Sequence, residues 1–181
     1  MIRFQSNSIL IIITLIIIII IIIIIIITKE GSLNSFDFFT EKLKMTPTAM
    51  TMNMMIEINI NNNNTDDAMK MMMAMIDIYN YRPDRIMIRQ LMKGIIREPF
   101  TFKDIDSILD LMDRYDIHKD VYIYGQLLLA CKFKNNTERA KVIFKELLQS
   151  TEVPSSFCHN LFSEIVGIDV HDNYVKNYGK K

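Results

Sequence analysis

The sequence predicts an all-α protein whose helices build an α-solenoid of stacked helix-turn-helix repeats, preceded by an N-terminal hydrophobic poly-isoleucine helix. Apolar residues recur at intervals of three and four along most of the chain, which is the periodicity of amphipathic helices. One layout of apolar stripe, polar turn and proline returns at a period of about 35 residues. Helix pairs of that size cannot bury their apolar faces alone, so they stack on neighbours of the same kind.

The N-terminal region stands apart from the repeats. We expect residues 1–28 to be a hydrophobic leader or transmembrane segment and residues 29–34 to be a linker. Ile9 to Ile27 has no charged residue, and as a helix it would measure about 28 Å, close to the hydrocarbon thickness of a bilayer. We therefore expect membrane contact through this segment. Three interpretations stay open: an uncleaved signal anchor, a targeting leader, and a homopolymer from a repetitive gene segment or a misplaced gene start.

The clearest repeat unit runs from Val121 to Ser155. Its first helix has an apolar stripe, and a polar turn follows from Lys132 to Asn136. Thr137 is a suitable N-cap for the second helix. Pro154 comes just after that helix and prevents its continuation. The positions that we expect to be buried are Tyr124, Leu127, Leu128, Cys131, Ala140, Ile143, Phe144 and Leu147.

Neighbouring stretches repeat this layout less completely. Arg85 to Asp120 and Ala49 to Asp84 each contain a helix pair, whereas Ser35 to Thr48 contains one second helix and Ser156 to Gly167 one first helix. The predicted counterparts of Leu127, Ala140 and Leu147 are Leu91, Ile105 and Met112 in one unit and Met55, Ala68 and Met75 in the other.

These boundaries define the domain organisation. We predict a helical-repeat domain over residues 35–167 and a C-terminal cap or tail over residues 168–181. The terminal stretch lacks the apolar pattern of a second helix, and solenoid ends require a polar cap.

The repeat unit resembles a known family. A helical hairpin of about 35 residues with an aromatic residue fourth, Leu seventh, Ala twentieth, Phe twenty-fourth and Pro next to last resembles the pentatricopeptide repeat. Those places are filled by Tyr124, Leu127, Ala140, Phe144 and Pro154. The tetratricopeptide repeat is the close rival, but it has small residues where this chain has the bulky Leu128 and Leu147.

The resemblance implies a sequence-directed single-stranded RNA-binding protein that acts in organellar RNA processing or stability. Helical-repeat proteins of this type use one repeat per base, and in the family the fifth and the last residue of each repeat contact it. The corresponding pairs are Asn53 with Asp84, Arg89 with Asp120, and Gly125 with Ser155, and Asn160 is the fifth residue of an incomplete unit. An Asn and Asp pair is associated with uracil, so the implied target contains U.

The implied localisation is mitochondrial, with association to the membrane through Ile9 to Ile27. The alternative is another membrane compartment, reached by an N-terminal signal anchor. Arg3 on one side of the apolar segment and Lys29 with Glu30 on the other leave the orientation undetermined.

Charge is distributed unevenly although the formal net charge is zero. Arg85, Arg89, Lys93 and Arg97 are each four residues apart with no acidic residue among them, and they form a basic stripe on one helix. The following stretch to Asp120 is rich in acidic residues. Arg89 and Lys93 are the stripe residues that we expect to reach an RNA phosphate.

Catalytic and metal-binding signals are missing from the sequence. The three histidines have no second ligand at metal spacing, and no glycine-rich phosphate loop or nucleophile motif is present. Cys131 and Cys158 lie in apolar helical stripes, which favours buried thiols over a disulfide framework. We therefore expect no enzymatic activity, no cofactor and no metal site.

A second function stays open beside RNA binding. A short solenoid with zero net charge and a membrane anchor would also serve as a helical-repeat scaffold for protein–protein interaction. Its partner would be a helix or peptide in the concave groove, and the segregated acidic helix that precedes Asp120 suits a basic partner. The sequence predicts no oligomeric state.

Overall fold

A computed structural model describes residues 48–97 and 99–179 of the chain. These residues contain only helices and turns, with no strand among them, which confirms the all-α prediction for this part of the chain. The chain divides into two compact units, Met1–Pro83 and Asp84–Lys181. The predicted poly-isoleucine helix and the helix predicted over Ser35 to Thr48 lie almost entirely outside the described residues.

Helices of the first unit are α1, Ala49–Asn61, and α2, Thr65–Tyr79. Those of the second unit are α3, Arg85–Arg97; α4, Phe102–Arg114; α5, Val121–Phe133; α6, Thr137–Gln149; α7, Ser156–Val166; and α8, Ile168–Tyr178. None of the helices in the described residues combines the length and the hydrophobicity needed to cross a bilayer.

Methionine fills the interior of the first unit. Helices α1 and α2 pack on one another, and their buried residues include Met52, Met55, Met71, Met72 and Met75. Unbranched methionine side chains adapt to irregular gaps, so a stripe rich in Met can still pack as core. Between the helices Asn63 has a φ of 58°, a left-handed conformation that asparagine tolerates better than most residues.

The second unit is built from helix pairs. Successive pairs contact one another through their first helices. Helix α3 packs on α4, α5 on α6, and α7 on α8. The first helices of successive pairs also touch, since α3 packs on α5 and α5 packs on α7. The second helix α6 additionally contacts α7 and α8.

Predicted core positions are buried throughout the described units. Leu127, Ala140 and Phe144 are 2%, 0% and 0% exposed. The counterparts proposed for them in the two upstream units are buried as well: Leu91, Ile105, Met112, Met55, Ala68 and Met75. The helical periodicity therefore identified the buried faces correctly.

The predicted start of α6 is wrong by one residue. Thr137 is the first residue of the helix, and the cap is Asn136, whose Oδ1 accepts a hydrogen bond from Arg139 N at 2.9 Å. The preceding Asn135 has a φ of 50°. This left-handed residue reverses the chain, so that Asn136 is the residue that stands before the first turn.

Helix α4 begins with a reciprocal cap between Thr101 and Asp104. The Asp104 carboxylate accepts hydrogen bonds from Thr101 N at 2.7 Å and from Thr101 Oγ1 at 2.8 Å. These hydrogen bonds, the backbone one first, lower the pKa of Asp104 because they favour its charged form.

The C-terminal stretch differs from the expectation of a patternless cap or tail, because Ile168–Tyr178 is a helix. It begins after Gly167, whose φ of 89° suits glycine and turns the chain sharply between α7 and α8. Helix α8 contains no fully buried residue, which explains why its apolar periodicity is weak.

Both cysteines are free and buried, as the sequence predicts. Burial raises the pKa of Cys131 to about 11. At pH 8 we expect about one thiol in a thousand to be ionised, and Cys131 should resist alkylation because the thiolate is the nucleophile. Peptide mass spectrometry after brief N-ethylmaleimide treatment measures this. Modification of Cys131 in the native protein as fast as in guanidinium would contradict the prediction.

Candidate nucleic-acid interface on the first helices

The last residue of each predicted repeat caps the first helix of the next. Asp84, Asp120 and Ser155 each accept, through a side-chain oxygen, a hydrogen bond from the backbone N–H three residues later, at 2.9, 3.0 and 3.3 Å. Each cap satisfies a backbone donor that the helix itself leaves unpaired. The three equivalent positions thus have the same structural role at the starts of α3, α5 and α7.

Arg89 and Asp120, which the sequence analysis paired, are in direct contact. Arg89 Nε donates to Asp120 Oδ2 at 2.8 Å, and Arg89 Nη2 forms an ion pair with the same oxygen. Arg85 Nε lies 3.9 Å from that oxygen. Because Asp120 is 3% exposed and also caps α5, one buried carboxylate joins α3 to α5.

Another contact recurs between successive first helices. It joins the residue at position five of one first helix to the residue at position two of the following first helix. The guanidinium carbon of Arg89 lies 5.5 Å from the Tyr122 ring centroid. At the equivalent place, a Cβ added to Gly125 would lie 3.2 Å from Cδ1 of Phe157. The missing side chain of Gly125 therefore lets the Phe157 ring approach the α5 backbone closely.

Gly125 and Ser155 also come near one another through Cys158. Cys158 Sγ lies 3.7 Å from the place where a Gly125 Cβ would be, and Ser155 Oγ donates to the same sulfur at 3.3 Å. Two of the predicted pairs, Arg89 with Asp120 and Gly125 with Ser155, lie wholly within the second unit. The structure brings the two members of each of these pairs close together.

The remaining candidate residues belong to neither of these pairs. Asn160 is exposed on α7. Asn53 belongs to the first unit, where it is half-buried and its Oδ1 has no hydrogen-bond partner among the described residues. Lys93 is exposed on α3.

Three exposed apolar side chains recur at the second position of the first helices in the second unit. Ile86, Tyr122 and Phe157 are 59%, 38% and 50% exposed. The sequence analysis did not single them out, because an apolar residue in the first turn of an amphipathic helix resembles part of the buried stripe. Their recurrence at the same place in successive units was the available signal.

The first helices α3 and α5 carry basic residues and no acidic residue. These basic residues are Arg85, Arg89, Lys93, Arg97 and Lys132. Lys132 pairs with Glu164 of α7. Lys93 and Arg97 are exposed and form no ion pair with any described residue. They are the cations of these helices with most freedom to meet an anion.

Acidic side chains gather instead on the second helices, where several pair with neighbouring bases. Arg139 of α6 forms an ion pair with Asp106 of α4, and Lys141 pairs with Glu138 at 2.7 Å. The charge segregation expected from the sequence holds for α3 and α4: the charged residues of α3 are all basic, whereas α4 has four acidic and two basic residues. Within the described part of the chain, no three His, Cys, Asp or Glu side chains are grouped to hold a metal ion.

Comparison with known proteins adds no relative to this description. No protein-family model matches the chain, and no curated protein matches it.

Proposed function

We propose that the chain is an α-solenoid of helical repeats that binds single-stranded RNA along its first helices. The observation that carries the proposal is the combination of exposed apolar side chains at equivalent positions of α3, α5 and α7 with basic residues on α3 and α5. Helices α3 and α5 contribute no acidic residue to this surface. Bases stack on aromatic rings while cations attract the phosphates, and this pairing of features is common among proteins that bind single strands.

Stacking is assigned to Tyr122 and Phe157. Both rings are exposed, and both occupy the second position of a first helix. A base stacked on an aromatic side chain contributes about 1–3 kcal/mol, with little dependence on which base it is. Asn160 lies one helical turn beyond Phe157, where its amide can donate to and accept from a base edge.

Phosphate attraction is assigned to Lys93 and Arg97. The sequence predicts this role for Arg89 and Lys93, but Asp120 holds the Arg89 guanidinium in an ion pair. A cation already paired with a buried carboxylate gains less from a phosphate than an unpaired one does. Arg89 instead extends the surface next to the Tyr122 ring.

The solenoid part of the proposal is supported by the contacts between first helices. Helix α3 packs on α5 and α5 on α7, and the Arg89–Tyr122 contact has its equivalent in Gly125 and Phe157. Stacked repeats present equivalent helices to the same side. A role in organellar RNA processing or stability, and mitochondrial localisation, are supported only by the resemblance to pentatricopeptide repeats.

The stacking assignment is tested by replacing both Tyr122 and Phe157 with alanine in the full-length chain, held in a mild non-ionic detergent. Binding to fluorescein-labelled U-rich and A-rich oligomers is measured by fluorescence anisotropy. Loss of two stacked bases should weaken binding by about 2–6 kcal/mol, which abolishes detectable binding at moderate salt. Val142→Ala, an exposed apolar change on α6, is the control and should bind like the wild type.

The phosphate assignment predicts a change in salt dependence. Replacing Lys93 and Arg97 with alanine should weaken binding equally for U-rich and A-rich strands. It should also reduce the slope of log K against log salt by about 1.4, because each single-strand phosphate contact contributes about 0.7. Lys103→Ala with Lys145→Ala removes two cations from the second helices α4 and α6 as a matched control. An equal loss of slope in that control would contradict the assignment to the first helices.

The protein-scaffold function is the alternative outcome of the same titration. Exposed apolar side chains on the first helices would also suit a partner helix. The absence of acidic residues from α3 and α5 favours a polyanion over a basic peptide. No binding of either oligomer at low salt would overturn the RNA proposal and favour the scaffold.

A further inference from the structure

Helix α8 is weakly attached to the rest of the second unit. It has no fully buried residue and no side-chain hydrogen bond at its N-terminal cap, where Gly167 stands with a φ of 89°. Nothing lies within 4 Å of the place where a Gly167 Cβ would be. A helix held by partly buried contacts and joined through an uncrowded glycine depends strongly on each contact that it makes.

The attachment is made by a cluster of rings. His159 Nδ1 of α7 lies 2.9 Å from His171 Nε2 of α8, so the two imidazoles share a hydrogen bond. The His171 ring lies 5.7 Å from the Phe144 ring of α6 and 6.2 Å from the Phe162 ring of α7, measured between centroids. Tyr174 adds a ring 5.3 Å from Phe162.

The proton positions in this cluster follow from its acceptors. Asp172 Oδ1 lies 2.8 Å from His171 Nδ1 and, as a carboxylate, it can only accept, so His171 carries a proton on Nδ1. In a neutral His171 the other nitrogen, Nε2, is then the acceptor, and His159 Nδ1 donates to it. This order assigns the tautomer of both imidazoles from the hydrogen-bond network.

The pair can take up one proton without losing its hydrogen bond, but not two. When His171 is charged, its Nε2 donates and a neutral His159 accepts on Nδ1, with its own proton moved to Nε2. A second proton places an N–H on both facing nitrogens. The hydrogen bond is then impossible, and two like charges face each other across α7 and α8.

Charged groups of both signs lie on the elements around the pair. Helix α6 contributes Lys141 and Lys145, and Lys145 Nζ lies 4.7 Å from the Tyr178 ring centroid of α8. Helix α8 contributes Asp169 and Asp172, and the charged residue of α7 is Glu164. Glu164 is paired with Lys132 of α5, which packs on α7 from its other side. Among these groups, Asp172 contacts the pair directly, through His171 Nδ1.

We propose that α8 is a pH-releasable cap, in which a second proton on the His159–His171 pair breaks the contact between α7 and α8 and uncovers Phe144 and Phe162. Both phenylalanine rings are fully buried when α8 is in place. Release would leave the apolar end of the helix array exposed to solvent. This inference does not depend on RNA binding.

The environment of His159 acts in the same direction. Burial, and next the neighbouring His171, lower the pKa of His159. The His159 imidazole therefore binds a proton more readily when α8 is released than when α8 is packed in place. Attachment is therefore fully stable above the ordinary histidine pKa of about 6.5 and is lost as the pH falls below it.

The test measures hydrogen exchange of the full-length chain in mild non-ionic detergent with a chelator, from pH 7.5 to pH 5.0. Protection factors are corrected for the intrinsic pH dependence of exchange. We expect α8 amides to lose protection by up to about tenfold per pH unit below about pH 6.5, because one extra proton binds the released state. Amides in the centre of α5 should keep their protection and serve as the internal reference.

NMR signals of the two imidazoles in the wild-type protein identify which protonation step releases α8. Loss of α8 protection should coincide with the second protonation of the pair. Protection that persists when both imidazoles are charged would overturn the proposal, as would a response that requires added Zn²⁺ and vanishes with the chelator. That last result would identify the histidines as metal ligands.

Variants provide a second line of evidence. His159→Asn combined with His171→Gln removes both titratable rings, and α8 protection should then be independent of pH over this range. His118→Gln, which removes an exposed histidine before α5, is the matched control and should respond like the wild type. An unchanged acid response in the double variant would overturn the proposal.

Discussion

Replacing Phe144 with alanine should lower the free energy of unfolding of the second unit by about 3–5 kcal/mol. Phe144 is 0% exposed on α6, and its ring stacks on Phe162 of α7 with the centroids 4.1 Å apart. The ring also meets both imidazoles of the histidine pair, at 5.5 Å and 5.7 Å. Truncation removes buried apolar area and leaves a cavity where three helices converge.

Circular dichroism of urea unfolding measures this loss, and it suits a chain without tryptophan. The melting temperature should fall by at least about 10 °C in a unit of this size. Val142→Ala, two residues earlier on α6, changes an apolar side chain that is 67% exposed and should have little effect. Similar melting temperatures for the two variants would show that Phe144 is not part of a packed core.

Replacing Asp120 with alanine should cost about 2–4 kcal/mol, the second-largest effect that we expect from a single side chain. The carboxylate caps α5 by accepting from Ile123 N at 3.0 Å. It also accepts a charge-assisted hydrogen bond from Arg89 Nε at 2.8 Å. The variant loses both interactions, and the Arg89 guanidinium, which is about half-exposed, returns to water.

Asp84→Ala is the matched control, because Asp84 caps α3 in the same way, accepting from Met87 N at 2.9 Å. No described arginine pairs with its side chain. It should cost about 1 kcal/mol, the value of a cap alone. Urea unfolding of both variants therefore separates the cap from the ion pair. Equal losses would mean that the Arg89 contact contributes nothing to stability.

The Asp120 variant also bears on the RNA proposal. Loss of the carboxylate frees Arg89 next to Tyr122 and makes the first-helix surface more positive. If the variant still folds at low temperature, it should bind single strands more tightly at low salt. A folded variant with unchanged affinity would place Arg89 outside the interface.

Sequence periodicity determined the helical class and the buried faces of the described units. These properties are local, because side chains three and four residues apart share a face of a helix wherever that helix lies. The burial of Leu127, Ala140 and Phe144, and of their counterparts upstream, followed from spacing alone. A chain of short amphipathic helices has few ways to cover those faces other than packing its helices together.

Only the tertiary structure decided which side chains meet across helices. The Arg89–Asp120 ion pair, the Phe157 ring against Gly125 and the His159–His171 hydrogen bond each join residues from different helices. Such contacts depend on the rotation and offset of packed helices, which no spacing within one helix specifies. The start of α6 at Thr137 and the sharp entry into α8 depended likewise on single left-handed residues, whose conformation the apolar pattern does not record.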